Sequence, residues 1–261
     1  MSKALEVVSN ETIFDALKTL MWSAGDAILE VYKQDDFGTE VKGDNSPVTK
    51  ADLAAHNVLV KGLATLTPNI PVVSEEDKDS LAIPKTNSVY WLIDPLDGTK
   101  EFIKRNGEFT CNLALIENNK TTLGFVGVPA TSELFTGGSG IPSQKTVRNL
   151  EPIGISHSRL NPRVTRIVAS KSHLNEETQS FIASIHGEVE LVQAGSSLKF
   201  LKIATGDADL YPRLAPTCEW DTAAAQAVLE GTGGKVAQAN GEPMVYGKAE
   251  ILNPHFIASA I

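Results

Sequence analysis

Apolar positions recur at helical spacing across residues 11–32, at Ile13, Leu17, Leu20, Met21, Ala24, Ile28 and Val31, and predict a long amphipathic helix. Residues 33–47 are polar, carry Gly38, Gly43, Asp44, Asn45 and Pro47, and read as a loop. A second helix is expected over 52–66. Two short apolar runs then end in acid. Val72-Val73-Ser74 leads into Glu75-Glu76-Asp77, and Trp91-Leu92-Ile93 leads into Asp94-Pro95-Leu96-Asp97. Each reads as a buried strand with carboxylates at its end. After the second, Gly98 allows a tight turn and Thr99 is placed to cap a helix running through Phe102. Apolar runs at 110–116, 123–128 and 133–135 predict an antiparallel sheet.

Residues 137–163 are rich in Gly, Pro and Ser and read as a junction between two halves. Beyond it the types alternate: strand at 166–169, helix at 176–185, strand at 189–192, helix at 196–204, strand at 208–211 and helix at 220–229. Gly231-Thr232-Gly233-Gly234 follows a helix rather than a strand, so it reads as a helix stop and not as a phosphate loop. The fold class is therefore α/β. An α+β half over 1–153 precedes an α/β half over 154–261 that completes the site and binds substrate.

Composition narrows the function. The chain has 261 residues, enough for a large core, with 42% hydrophobic and 21% charged residues. A formal net charge of −9 argues against nucleic acid polymers, which are bound through a basic face. One small anionic substrate needs only local cations. No apolar run approaches the ~20 residues of a membrane span, and the first residues lack the pattern of a secretory signal. Two cysteines, Cys111 and Cys218, suit a reduced cytoplasmic protein. Peripheral contact with the cytoplasmic face of the inner membrane is left open.

The acids carry the chemistry. Taken singly, each is an ordinary surface carboxylate or helix cap. Acids placed directly after apolar strands are less usual, and Trp220-Asp221 adds a third such position at the start of an apolar helix. The helix start near Gly98 offers free N–H groups to an anion. Carboxylates beside an anion cradle are a poor arrangement unless cations lie between them. Hard cations such as Mg²⁺ take oxygen ligands and keep several waters, so Glu75, Asp94, Asp97 and Asp221 would serve two or three of them.

These segments resemble the inositol monophosphatase superfamily of metal-dependent, lithium-sensitive phosphatases. Asp94-Pro95-Leu96-Asp97-Gly98-Thr99 is similar to its central motif, Glu75-Glu76 to its upstream metal motif and Trp220-Asp221 to its downstream one. The likeness runs from about Ser46 to Pro254 and is strongest to the bisphosphate nucleotidase branch. It includes Ser46-Pro47-Val48-Thr49-Lys50-Ala51-Asp52, Lys100-Glu101-Phe102, Gly195-Ser196-Ser197-Leu198-Lys199 and Leu210-Tyr211-Pro212-Arg213.

The resemblance implies a layered αβαβα sugar-phosphatase-like fold and two to three Mg²⁺ ions. Glu75, Asp94 and the Leu96 carbonyl would hold one ion, and Asp94, Asp97 and Asp221 a second. Asp52 and Thr99 would orient and deprotonate a water. The phosphate would be met by Glu75, Leu96, Asp97, Gly98, Thr99 and Asp221, and the rest of the substrate by His173, Ser197, Lys199 and Arg213. The implied reaction removes the 3'-phosphate of adenosine 3',5'-bisphosphate, and extends to its sulfated form. Inositol monophosphatase activity is the alternative, disfavoured by Lys199 and Lys100-Glu101-Phe102. A silent nucleotide or metal sensor is disfavoured because every ligand and Asp52 are present. The resemblance leaves monomer and homodimer open.

Overall fold

The computed structural model describes residues 2–41, 43, 47–85, 87–157, 163–169 and 175–260. The chain opens with α1 (Lys3–Ser9) and α2 (Glu11–Tyr32), the latter with the bounds its apolar spacing predicts. The expected loop carries the short antiparallel pair β1 (Glu40–Val41) and β2 (Pro47–Val48). Helix α3 (Lys50–Leu66) follows, then β3 (Val72–Ser74) and β4 (Val89–Asp97). Short α4 (Thr99–Ile103) precedes β5 (Thr110–Glu117), β6 (Lys120–Val128), β7 (Glu133–Gly138), β8 (Ile141–Val147) and β9 (Ile153–Gly154). Strands β3 to β9 lie side by side in chain order as one seven-stranded sheet, with only the β3–β4 pair parallel.

The stretch read as a junction therefore holds two strands, β8 and β9. Their burial is weak, with exposed Pro142 and Gln144 and a half-buried 145–147 end, so they lack an apolar pattern to announce them.

The remaining elements are β10 (Val164–Ala169), α5 (Glu176–Ala183), β11 (Glu188–Gln193), α6 (Leu198–Ala204), β12 (Leu210–Arg213), α7 (Ala223–Gly231), β13 (Lys235–Gln238) and β14 (Phe256–Ser259). The five strands form a second sheet in the order β11-β10-β12-β14-β13. Strands β10, β11 and β12 are parallel. The chain steps outward from β10 to β11 and back across to β12. Right-handed crossovers in opposite directions put α5 and α6 on opposite faces of this sheet.

Two cores separate the layers. One holds α1, α2 and α3 against one face of the first sheet, through Leu17, Met21, Ile28, Leu59, Trp91, Ile93 and Phe125 among others. The other holds α6 and α7 between the two sheets, through Tyr90, Leu92, Ala114, Phe200, Ala224, Val228 and Phe256. Alternate residues of β4 thus enter different cores, Trp91 and Ile93 in one, Tyr90 and Leu92 in the other. Layer by layer this is helices, sheet, helices, sheet and α5.

Candidate active site

Asp94 and Asp97 stand three residues apart, and in a regular strand that spacing points side chains to opposite faces. Here Asp94 lies opposite Asn112 and Asp97 opposite Thr110, so three steps on β4 match two on β5. The extra residue is a β-bulge, and it returns both aspartates to one face. Pro95, which has no N–H to give a ladder, sits within it. Leu96 N–H donates to Asp94 Oδ1 at 3.1 Å. Gly98 follows at φ 93°, and a Cβ there would come within 3.1 Å of the Glu108 carbonyl oxygen.

Gly98, not Thr99, occupies the cap position of α4, and no side chain caps it. Thr99 lies one residue inside the helix and turns its hydroxyl elsewhere, with Asp52 Oδ1 at 3.2 Å and the Leu96 carbonyl at 3.3 Å as acceptors. With five residues, α4 contributes unpaired N–H groups rather than a substantial dipole.

Asp52 is not a helix cap either. Thr49 is the N-cap of α3, and Asp52 is its reciprocal partner three residues on. Asp52 Oδ2 accepts from both the N–H and the hydroxyl of Thr49, each at 2.7 Å. One oxygen is thus committed to the helix and the other faces Thr99. The Thr49-Lys50-Ala51-Asp52 spacing is the signal that places this helix start two residues before the expected one.

Glu75 is brought beside the end of β4 by its N–H, which donates to the Ile93 carbonyl at 3.2 Å. Asp221 does not sit in a helix first turn. It ends a 3-10 turn, Glu219–Asp221, ahead of α7, and its Oδ2 accepts from Cys218 N–H at 2.8 Å. Glu219, 1% exposed, fastens that turn. Its carboxylate accepts from the N–H groups of Gly247 and Lys248 and from the Lys248 ammonium. Nothing in the sequence singles out Glu219, because its partners lie nearly thirty residues away.

Burial raises the Asp94 pKa well above the usual range, and the charges of Glu75, Asp97, Asp221 and Asp52 raise it further. Burial lifts Asp221 to about 8, with Asp97 and Glu75 adding to the shift and the Cys218 N–H opposing it. Burial also raises Asp97 and lowers Lys199, while each one's charge opposes the shift of the other. Burial raises Asp52 against the hydrogen bonds from Thr49.

Such a cluster is strained as bare carboxylates and is relieved by cations, and its donors are all oxygen, which fits Mg²⁺. Among the described residues no three His, Cys, Asp or Glu side chains close around a single point. Ions held here would complete their shells with the Leu96 carbonyl, water and substrate oxygens.

A cavity of about 380 Å³ opens beside the cluster. Asp97, Gly98, Asp221, Lys199, Arg213 and Tyr211 are among the residues that line it. Lys199 Nζ donates to the Ser196 carbonyl at 3.1 Å and lies 5.6 Å from the centre of the Tyr211 ring. Tyr211 packs edge-on against Phe200 and Phe256, so its ring belongs to the core. Arg213 Nη2 donates to the Pro216 carbonyl at 2.9 Å. Ser196 rather than Ser197 lines the wall. Ser197 lies behind it, its hydroxyl 3.0 Å from Asp97 Oδ2 and 3.0 Å from the Asp221 carbonyl. His173 lies outside the described residues.

The chain is similar to known proteins. A sequence profile of the inositol monophosphatase family matches residues 9–260. The chain is 44% identical over 253 residues to the 3'(2'),5'-bisphosphate nucleotidase CysQ of Escherichia coli O6:H1, covering 95% of this chain and 99% of that one. It is 36% identical to the CysQ nucleotidase of Buchnera aphidicola, over 95% of this chain and 94% of that one. Among solved structures, CysQ from Bacteroides thetaiotaomicron superposes with a TM-score of 0.84 at 39% identity, covering 95% and 97% of the two chains. The Thermotoga maritima IMPase shares the fold, with a TM-score of 0.73 at 22% identity over 95% and 91%. The bulged Asp94-Pro95-Leu96-Asp97 strand, the carboxylates gathered around it and these matches agree: the chain belongs to the inositol monophosphatase family.

Proposed function

We propose that this protein is a Mg²⁺-dependent phosphomonoesterase that removes the 3'-phosphate of adenosine 3',5'-bisphosphate, giving AMP and phosphate. The observation that carries the reading is a cavity lined by both carboxylates and cations. The carboxylates Asp97 and Asp221, which need cations, and the cations Lys199 and Arg213 line the same cavity. A substrate with one phosphate to lose and one to keep fits both. The likeness to bisphosphate nucleotidases at 44% identity supports it.

In this reading Glu75, Asp94, Asp97, Asp221 and the Leu96 carbonyl hold two to three Mg²⁺ ions. Divalent ions so held neutralise phosphoryl charge and favour deprotonation of water at neutral pH. The chain's own groups supply the rest. Thr99 Oγ1 donates to Asp52 Oδ1 and keeps its lone pairs for an attacking water. The water's proton passes to Thr99 Oγ1 as the Thr99 proton passes to Asp52 Oδ1. Burial raises the affinity of Asp52 for that proton, as a general base requires. Unpaired N–H groups at the start of α4 face the phosphate oxygens. Lys199 and Arg213 bind the retained phosphate, and the burial of Lys199 and half-burial of Arg213 strengthen that attraction. Cys111 and Cys218, neither of them in a disulfide, suit work in the cytoplasm.

The test is phosphate release from adenosine 3',5'-bisphosphate and from inositol 1-phosphate, side by side, with Mg²⁺ or with EDTA, and with added Li⁺ or K⁺. Metal-dependent release from the bisphosphate, inhibited by Li⁺ and not by K⁺, is expected. Preference for inositol 1-phosphate would overturn the assignment.

A further inference from the structure

The carboxylates come from both halves of the chain, so something must hold the halves in register at the site. Strand β5 supplies a joint. Thr110 and Asn112 are two residues apart and therefore share the face that carries Asp97 and Asp94 opposite them. Each reaches across to the loop before α6. The hydroxyls of Thr110 and Ser196 lie 3.0 Å apart, and Asn112 Nδ2 donates to Ser197 Oγ at 3.0 Å. The loop presses close: a Cβ on Gly195 would lie 2.8 Å from the Glu108 carbonyl oxygen. Ser196 is held at φ 43°, a conformation non-glycine residues adopt only when their surroundings impose it.

The proton count at Ser197 is what matters. Its hydroxyl carries one hydrogen and has three polar neighbours: Asn112 Nδ2, Asp97 Oδ2 and the Asp221 carbonyl. Because the Asn112 amide donates, the Ser197 proton is directed away from β5, to Asp97 or to Asp221. Asp97 also accepts from the Ser197 backbone N–H. One serine from the second half thereby grips a carboxylate of the first half and the main chain of the third acid. Asn112 itself gains little. It is 1% exposed, and its Oδ1 has no hydrogen-bond partner among the described residues. A buried amide with an unsatisfied oxygen is a net burden on stability. An apolar residue would serve a purely structural β-strand position better.

We propose that Asn112 is a positioning residue: through Ser197 it sets the orientation of Asp97 and docks the Asp221 turn against it, so that cations are held across the joint between halves. The inference rests on the reading of Asp97 and Asp221 as metal ligands. It makes a distinctive claim, that removing the Asn112 amide weakens cation binding without weakening the fold.

The experiment is a double-mutant cycle on the full chain with Asn112→Val, Ser197→Ala and the pair together. Asn112→Ala is a smaller second variant in case valine packs badly. Three readouts are taken: the Mg²⁺ dissociation constant of substrate-free protein by titration calorimetry, kcat on adenosine 3',5'-bisphosphate, and the thermal midpoint in EDTA. Asn112→Val is expected to lose about 10–100-fold in Mg²⁺ affinity and kcat, the scale for groups that orient metal ligands. Its midpoint in EDTA holds or rises. The double variant loses no more than Ser197→Ala alone, because both act through one hydroxyl. Wild-type Mg²⁺ affinity in Asn112→Val and Asn112→Ala, or losses that multiply in the double variant, would overturn the joint while leaving the nucleotidase reading intact. A wild-type protein that neither binds Mg²⁺ nor releases phosphate would overturn the reading beneath it.

Discussion

At the scale of single residues the site divides its labour. Asp52 spends one oxygen on its own helix and keeps the other for Thr99. Asp52→Asn or Thr99→Ala should therefore cost about 10²–10⁴ in kcat, the range for assisted proton transfer. Mg²⁺ affinity by calorimetry should be unchanged within about threefold, because neither residue is assigned to an ion. A parallel collapse of Mg²⁺ binding would move one of them into the ligand set. Lys199 is the complementary case. It is buried beside Asp97 and Arg213, whose charges act on it in opposite senses. If it holds the phosphate that stays, Lys199→Ala should weaken binding of the bisphosphate by about 1.5–3 kcal/mol, the scale of a charged hydrogen bond. Binding of 3'-AMP should change far less. Equal losses on the two ligands would place Lys199 on the phosphate that leaves.

Elements matter where backbone geometry decides what a side chain can do. The turn between β4 and α4 must bring Gly98 to φ 93° within reach of Glu108 and Ser196. Gly98→Ala would demand a left-handed alanine and crowd both neighbours at 3.1 Å. A loss of about 1–3 kcal/mol in unfolding free energy by denaturant titration is expected, with kcat falling by more than stability explains. An unchanged kcat would show that the turn tolerates displacement. The β4 bulge acts in the same way, because an in-register strand would send Asp94 and Asp97 to opposite faces.

For the molecule as a whole, the acid cluster is a burden that cations convert into an asset. Asp94 and Asp221 hold their protons more tightly in the folded chain than in the unfolded one, where carboxylates titrate near ~3.9. The folded state therefore binds more protons than the unfolded state above that pH. The metal-free protein should lose stability as pH rises from about 4 towards about 8, the value to which Asp221 is lifted. Scanning calorimetry in EDTA should show the midpoint falling across that interval, with a shallower fall in Asp94→Asn. A slope identical to wild type would remove Asp94 from the cluster. Saturating Mg²⁺ should reverse the trend. At a hundred times its dissociation constant, a ligand that binds only the folded state contributes about 2.7 kcal/mol, which is several degrees for a chain of this size. A midpoint indifferent to Mg²⁺ at pH 8 would argue against a cation site.

Much was legible in order along the chain. The bounds of α2 follow from apolar spacing that only a helix satisfies, and β3 from an apolar run cut short by acids. The carboxylates and Lys199 could be named because each falls in a short segment that resembles a family motif. Other features depend on partners that spacing cannot reveal. Asp94 and Asp97 share a face only because β5 pairs with β4 through a bulge. Strands β8 and β9 are not announced by an apolar run, because the buried positions of β8 are Ile141 and the polar Ser143 and both residues of β9 are exposed. Strands β13 and β14 are four residues each and gain their meaning from pairing with β12. Asn112 and Glu219 bond to residues 85 and 28 positions away, and no local pattern records a contact of that kind. The sequence by itself determined which chemical groups the site would hold, because those groups are side chains. Tertiary structure decided which of them meet, and in what orientation, because that depends on register, close approach and burial across the joint between the two sheets.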